Sequence, residues 1–137
     1  LKFNPDNRTR LMNQYYNFSS AAGIDYTIDL KKTDGEKVII HQKSDGTPFI
    51  LNDTFLVAIN SYRGNGGGGH LTRGSKIPAD ELSDRIVKST QIDLRYHLMQ
   101  YLDDQDSYYP DTLQNWKLVP SEWWQAGEES DRKMLFN

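Results

Sequence analysis

The stretch Asn60 to Gly69, NSYRGNGGGG, sets an aromatic ring and a guanidinium directly before a run of four glycines, Gly66 to Gly69. The chemistry on offer is recognition: a planar ring that stacks, a cation, and a backbone stripped of side chains. Such a run packs nothing and loses the most backbone freedom on folding. It needs left-handed turns, room for a neighbouring group, or plain flexibility to justify it. Tyr62 and Arg63 therefore either flank a cleft or stand beside a loose hairpin, one as a core tyrosine and the other as a solvated arginine.

Bond-making constellations are missing elsewhere. His41, His70 and His97 sit in separate segments with no HExxH or other tight ligand spacing. Asp25 and Asp29 share a strand face but lie beyond direct neighbours and have no partner nucleophile. Asp103, Asp104 and Asp106 begin like a calcium loop, yet the required glycine and distal glutamate do not follow. GNGGGGH is no phosphate-binding P-loop, since the lysine and hydroxyl of GxxxxGK[ST] are absent.

The elements that must position the glycine stretch are those of one domain of α+β class. The chain has 137 residues, with Tyr 8, Phe 5 and Trp 3, an aromatic load that argues for a packed core despite a mean hydropathy of -0.74. Net charge is -3 with no basic stripe, which makes a nucleic-acid polymer or an anionic membrane surface a poor partner and leaves single nucleotides open. Cysteine is absent, so thiol chemistry and disulfides are excluded and the compartment is left undecided. Within these residues neither a signal peptide nor an apolar stretch long enough to span a bilayer is read, and a leader outside them stays open.

Along the chain, residues 1–17 read as linker or insertion, with Leu11 to Phe18 a short helical turn or an irregular aromatic segment. Ile24 to Leu30 alternates apolar and polar residues as a half-buried strand does, its odd positions facing water or a cleft. An Asp-Gly turn then leads into a second strand over Lys37 to His41, making a hairpin. Thr54 to Ser61, TFLVAINS, reads as a largely buried strand that delivers the glycine stretch. Three to five strands are expected in the first half. Pro78 to Leu82 suits one helical turn, and Asp84 to Lys88 a further strand. A core helix runs from a Ser89 or Thr90 cap to Leu102. Trp116 to Val119 before Pro120 suits an edge strand, and residues 126–137 a polar tail that frays.

Three ordered motifs, AAGIDYTIDL, FLVAINSYRGNGGGG and STQIDLRYHLMQYL, closely resemble the C-terminal domain of the bacterial 5'-nucleotidase and 2',3'-cyclic-nucleotide 2'-phosphodiesterase/3'-nucleotidase family, over roughly 18–119. The resemblance implies a mixed β-sheet with packed helices. It also implies a role as a fragment of the base- and ribose-gripping domain of a two-domain hydrolase, the first part of that domain, with one of its two stacking aromatics, lying outside this chain. Two divalent metal ions and the catalytic histidine and aspartate would lie in an N-terminal metallophosphoesterase domain, with no cofactor in this chain. The implied partners are that domain and a 3'-nucleotide or 2',3'-cyclic nucleotide, with no membrane contact by this domain and a periplasmic or cell-surface location.

Residue by residue, the resemblance makes Tyr62 a base-stacking aromatic, its plain alternative being a core tyrosine. Asn65, Gly66, Gly67 and Gly69 match the family's NGG(D)G loop at the sugar. Gly68 departs from it, because the 5'-nucleotidases carry there an aspartate that holds both ribose hydroxyls. A 2'- or 3'-phosphate leaves no diol to hold, so glycine points to the 3'-nucleotidase and cyclic-phosphodiesterase branch over a 5'-nucleotidase or UDP-sugar hydrolase. Arg63 carries no family role and is either a ligand contact or a solvated cation. From another class, a non-catalytic sugar- or protein-binding module remains the alternative.

Overall fold

The computed structural model describes residues 17–136, which fall into two compact units: 17–53 with 113–136, and 54–112. The linker or insertion expected over 1–17 and most of the aromatic segment Leu11 to Phe18 lie outside the described residues.

The first unit is a three-stranded mixed sheet. Strands β1 (Ile24–Asp29) and β2 (Val38–Lys43) pair antiparallel, and β3 (Trp116–Val119) joins β1 in parallel, giving the order β2-β1-β3. Alternating apolar residues in β1 and the Asp34-Gly35 turn make this hairpin. Gly35 adopts φ 93, and the Glu36 amide donates to the Thr33 carbonyl at 3.1 Å. The Tyr26 ring stacks on Trp116 at 6.2 Å, and Phe18 packs on Trp116 at 5.6 Å. Asn115 Nδ2 donates to the Ala21 and Ile24 carbonyls, which ties the loop before β1 to the strand that arrives from the far end of the chain. Thr27, expected to face water or a cleft, is buried instead. A β-bulge opposite Asp25 and Tyr26 accompanies the aim of His41 across the sheet, its Nε2 3.2 Å from Thr27 Oγ1.

Helix α3 (Ser121–Phe136) follows β3, and Lys31 Nζ lies 5.7 Å above the Trp123 ring near its start. The tail expected over 126–137 is therefore helical through Phe136. Pairs four residues apart, Glu128 with Arg132 and Glu129 with Lys133, support a helix that apolar residues alone do not mark. The architecture is α+β with a small mixed sheet and packed helices, as expected.

The second unit contains helix α1 (Ser61–Gly64), a 3-10 turn at Gly67–Gly69, a single π turn at His70–Gly74, short 3-10 turns at Ala79–Glu81 and Ser83–Arg85, and helix α2 (Leu94–Asp103). Thr54 to Ser61 forms no strand: residues 54–60 are irregular, with Leu56 and Val57 exposed, and Ser61 opens a helix. β-branched composition favours a pleated, packed surface, but a ladder also needs a neighbour, and no described strand pairs with this segment. The strand over Asp84 to Lys88 is likewise absent, and the first half holds two strands among the described residues. α2 starts later than expected, because Asp93 is its cap and accepts from the Arg95 amide at 2.7 Å, while Thr90 accepts from Ile92. Nor is α2 a core helix, since its apolar side chains from Leu94 to Leu102 stay exposed. Leu82 is the buried apolar side chain of this unit among the described residues.

Candidate functional site

The glycine stretch folds as a chain of tight turns anchored at both ends. Asn60 caps α1, its side-chain oxygen accepting from the Arg63 amide at 2.9 Å, which sets Tyr62 and Arg63 on the first turn. Asparagine at the N-cap was the sequence signal for this helix, masked by the apolar run before it. Asn65 closes the helix, its amide donating to the Ser61 carbonyl, and is itself exposed. Gly66, Gly68 and Gly69 then adopt φ 88, 73 and 75, the left-handed region that L side chains avoid.

Contacts explain the glycines more sharply than freedom does. A Cβ on Gly66 would lie 3.2 Å from Leu82 and 3.3 Å from Thr72, so the loop is seated on the buried leucine of its own unit. A Cβ on Gly67 would strike the Tyr62 carbonyl oxygen and come within 2.6 Å of Tyr62 Cδ2 and Cε2. The tyrosine ring thus lies against Gly67, close enough to forbid any side chain there. A Cβ on Gly69 would meet the Arg73 guanidinium at 2.5 Å. The run is a fitted surface on which two side chains lie, not a loose hairpin.

Tyr62 is not a core residue, because 54% of it stays exposed. The Arg63 guanidinium carbon sits 5.4 Å from the ring centroid, within cation–π range. Arg63 Nη1 reaches the Gly67 carbonyl at 3.3 Å and His70 Nδ1 at 2.9 Å. Arg73 Nη2 approaches the Gly68 carbonyl at 3.5 Å. The structure therefore brings together Tyr62, Arg63, Gly66, Gly67, Gly68 and Gly69, with Asn65 exposed at the end of α1. It adds Arg73, which the sequence did not single out, and His70, which the sequence offered only as one of three scattered histidines without ligand spacing. An exposed ring and a neighbouring cation can stack on and hydrogen-bond a planar polar ligand.

The other candidates serve local structure. Asp25 accepts from Gln42 Nε2 at 2.8 Å, and Asp29 accepts from the Lys31 amide. His97 lies edge-on to Tyr96. Asp103 ends α2 and Asp104 caps it. An open groove of about 360 Å³ on the sheet is lined by Asp25, Thr27, His41 and Lys117, among others, and its acid and imidazole are already engaged with neighbouring side chains. Among the described residues, no three histidines or carboxylates are grouped to hold a metal ion, and no helix is long and apolar enough to cross a membrane. The two divalent ions that the resemblance implies find no grouped ligands among the described residues.

Residues 6–73 match the family described as "5'-nucleotidase, C-terminal domain", a span that takes in β1, β2, α1 and the glycine turns. The chain belongs to this family, the C-terminal domain of the 5'-nucleotidases and 2',3'-cyclic-nucleotide phosphodiesterases. It is 33% identical over 118 residues to the Trifunctional nucleotide phosphoesterase protein YfkN of Bacillus subtilis (strain 168), an alignment that covers 77% of this chain and 7% of that protein. The chain thus spans a small part of that relative. No solved structure gives a significant match.

Proposed function

We propose that this chain recognises the base and ribose of a nucleotide for a metal-dependent 2',3'-cyclic-nucleotide 2'-phosphodiesterase/3'-nucleotidase whose metallophosphoesterase domain lies outside these residues. The observation that carries the reading is the Tyr62 ring, exposed yet backed by Arg63 and seated on Gly67. A ring so fixed pays little to order itself when a base arrives, and base stacking contributes about 1 to 3 kcal/mol. The loop at Gly66 to Gly69 takes the sugar side. Gly68 leaves out the carboxylate that would grip a free ribose diol, which favours substrates whose 2' or 3' oxygen carries the phosphate over the 5'-nucleotides.

The two divalent metals of that partner domain would supply Lewis-acid chemistry and a nucleophilic water. Tyr62, Asn65 and the glycine backbone orient the nucleotide. The working location is the periplasm or the cell surface, where nucleotides from outside are met.

The test is hydrolysis of 3'-AMP, 2',3'-cyclic AMP and 5'-AMP by the intact polypeptide, beside the 137-residue chain alone. The intact protein is expected to prefer the first two, and the chain alone to release no phosphate. Metal-dependent hydrolysis by the chain alone, or a preference for 5'-AMP, refutes the assignment. Binding of a sugar or a protein without hydrolysis by the intact polypeptide would place the chain among non-catalytic modules.

A further inference from the structure

We infer that His70 is a positioning residue: as the neutral imidazole with its proton on Nε2, it holds the Arg63 guanidinium in place over Tyr62, and so sets the stacking platform of the site proposed above. This role rests on that functional reading, and a single tautomer of His70 defines it. Arg63 Nη1 lies 2.9 Å from His70 Nδ1. A guanidinium has five N–H donors and no acceptor, so a hydrogen bond between the two requires Nδ1 to accept, which only the Nε2–H tautomer of a neutral ring allows. An imidazolium, or the Nδ1–H tautomer, would set two donors face to face.

The same nitrogen of Arg63 also donates to the Gly67 carbonyl at 3.3 Å, and the guanidinium carbon stands 5.4 Å from the Tyr62 ring centroid. One cation thereby joins three parts of the site: the stacking ring, the glycine against which that ring lies, and the first residue of the π turn. His70 can hold its place because the π turn is closed by its own carbonyl, which accepts from the Ser75 amide at 2.9 Å and from Ser75 Oγ at 3.3 Å. π turns are rare and, as bulges in α-helices, are frequent at functional sites. Here the first residue of the turn supplies the acceptor, and its partner is the arginine beside the ring.

The test separates this role from bulk stability. Asparagine presents a carbonyl oxygen near the position of Nδ1, so His70→Asn keeps an acceptor whereas His70→Ala removes it. In the intact enzyme, His70→Ala is expected to raise KM for 3'-AMP about fivefold to tenfold, the scale of losing one ordinary hydrogen bond at an exposed site. Turnover of a base-free aryl phosphate should be unchanged, and His70→Asn should restore most of the 3'-AMP affinity. The ¹⁵N spectrum of histidine-labelled protein, with His70 assigned by the resonance lost in His70→Asn, should show Nδ1 unprotonated and Nε2 protonated at neutral pH. Arg63→Ala should shift that tautomer balance. An Nδ1–H tautomer, wild-type KM in His70→Ala, or equal losses on both substrates would overturn the inference. If instead the wild-type enzyme shows no preference for nucleotides over the aryl phosphate, the functional reading itself fails, and the result is distinguishable from failure of the His70 role by the wild-type measurement alone.

Discussion

Gly67→Ala is the smallest change that should dislodge Tyr62, the residue proposed to stack on the base, while leaving its own side chain intact. The new Cβ would collide with the Tyr62 carbonyl oxygen and stand 2.6 Å from two ring carbons, well inside van der Waals contact. Because one collision is with backbone, no rotamer change relieves it, and either α1 shifts at Tyr62 or the glycine turn opens. Overpacking of this kind costs about 1 to 3 kcal/mol. If the ring moves off its seat, the stacking it provides, about 1 to 3 kcal/mol, is lost as well, which corresponds to roughly a 5-fold to 150-fold fall in kcat/KM. The assay is steady-state kinetics of the intact enzyme on 3'-AMP and on a base-free aryl phosphate, with circular dichroism to verify folding. The loss should appear on the nucleotide and be nearly absent on the aryl phosphate. Wild-type kinetics on 3'-AMP would mean that the ring and Gly67 are not held together. Equal losses on both substrates would mean that Gly67 supports the fold and not the site.

Three further outcomes follow from the same geometry. Tyr62→Ala should cost roughly 5-fold to 150-fold in kcat/KM on 3'-AMP while Tyr62→Phe is mild, because the ring face carries the contact; a severe Phe variant would shift the role to the hydroxyl. Gly68→Asp should fold normally, since φ 73 is a conformation that aspartate tolerates better than most residues, and should raise the 5'-AMP to 3'-AMP ratio of kcat/KM; an unchanged ratio would remove position 68 from substrate choice. The Asp45 carboxyl is held below its ordinary value, first by the Thr47 hydroxyl at 2.6 Å and then by the Thr47 amide at 2.9 Å. A depressed value means the turn is stabilised above the ordinary carboxylate range and loosens as pH falls through the lowered one, so the Thr47 amide resonance should titrate late in acid, and a midpoint at or above the ordinary value would refute this.

What the amino-acid pattern revealed divides along a physical line. Ile24 to Asp29 and Val38 to Lys43 were legible because alternation and an Asp-Gly turn are local signals, and Trp116 to Val119 because Pro120 ends the ladder. Thr54 to Ser61 was misread because β-branched composition reports only a preference, whereas a strand exists by virtue of a partner. The α2 start was displaced by three or four residues because Ser89, Thr90 and Asp93 are all good caps, and Thr90 and Asp93 each accept from the amide two residues on; what distinguishes Asp93 is that its carbonyl also takes the first helical bond, from the His97 amide. Within the site, residue types pointed to Tyr62, Arg63 and the glycines. The reason for Gly67 was hidden, since nothing in GNGGGG says which glycine a ring will lie on. His70 was hidden too, because its partner is seven residues away around turns that periodicity does not encode.

The parallel pairing of β1 with β3 has a consequence for how the protein is made. β2 reaches β1 across a short turn, so the hairpin can close as soon as Lys43 is synthesised. The other edge of β1 waits for Trp116, with the whole of 54–112 intervening, and contacts so distant in sequence form slowly. Until then Tyr26 lacks the indole it stacks on, and a bare edge of the central strand is open to any other extended chain. The last segment acts as a seal and not as an appendage: a chain that stops short of Trp116 is left with its sheet unsealed along its middle strand.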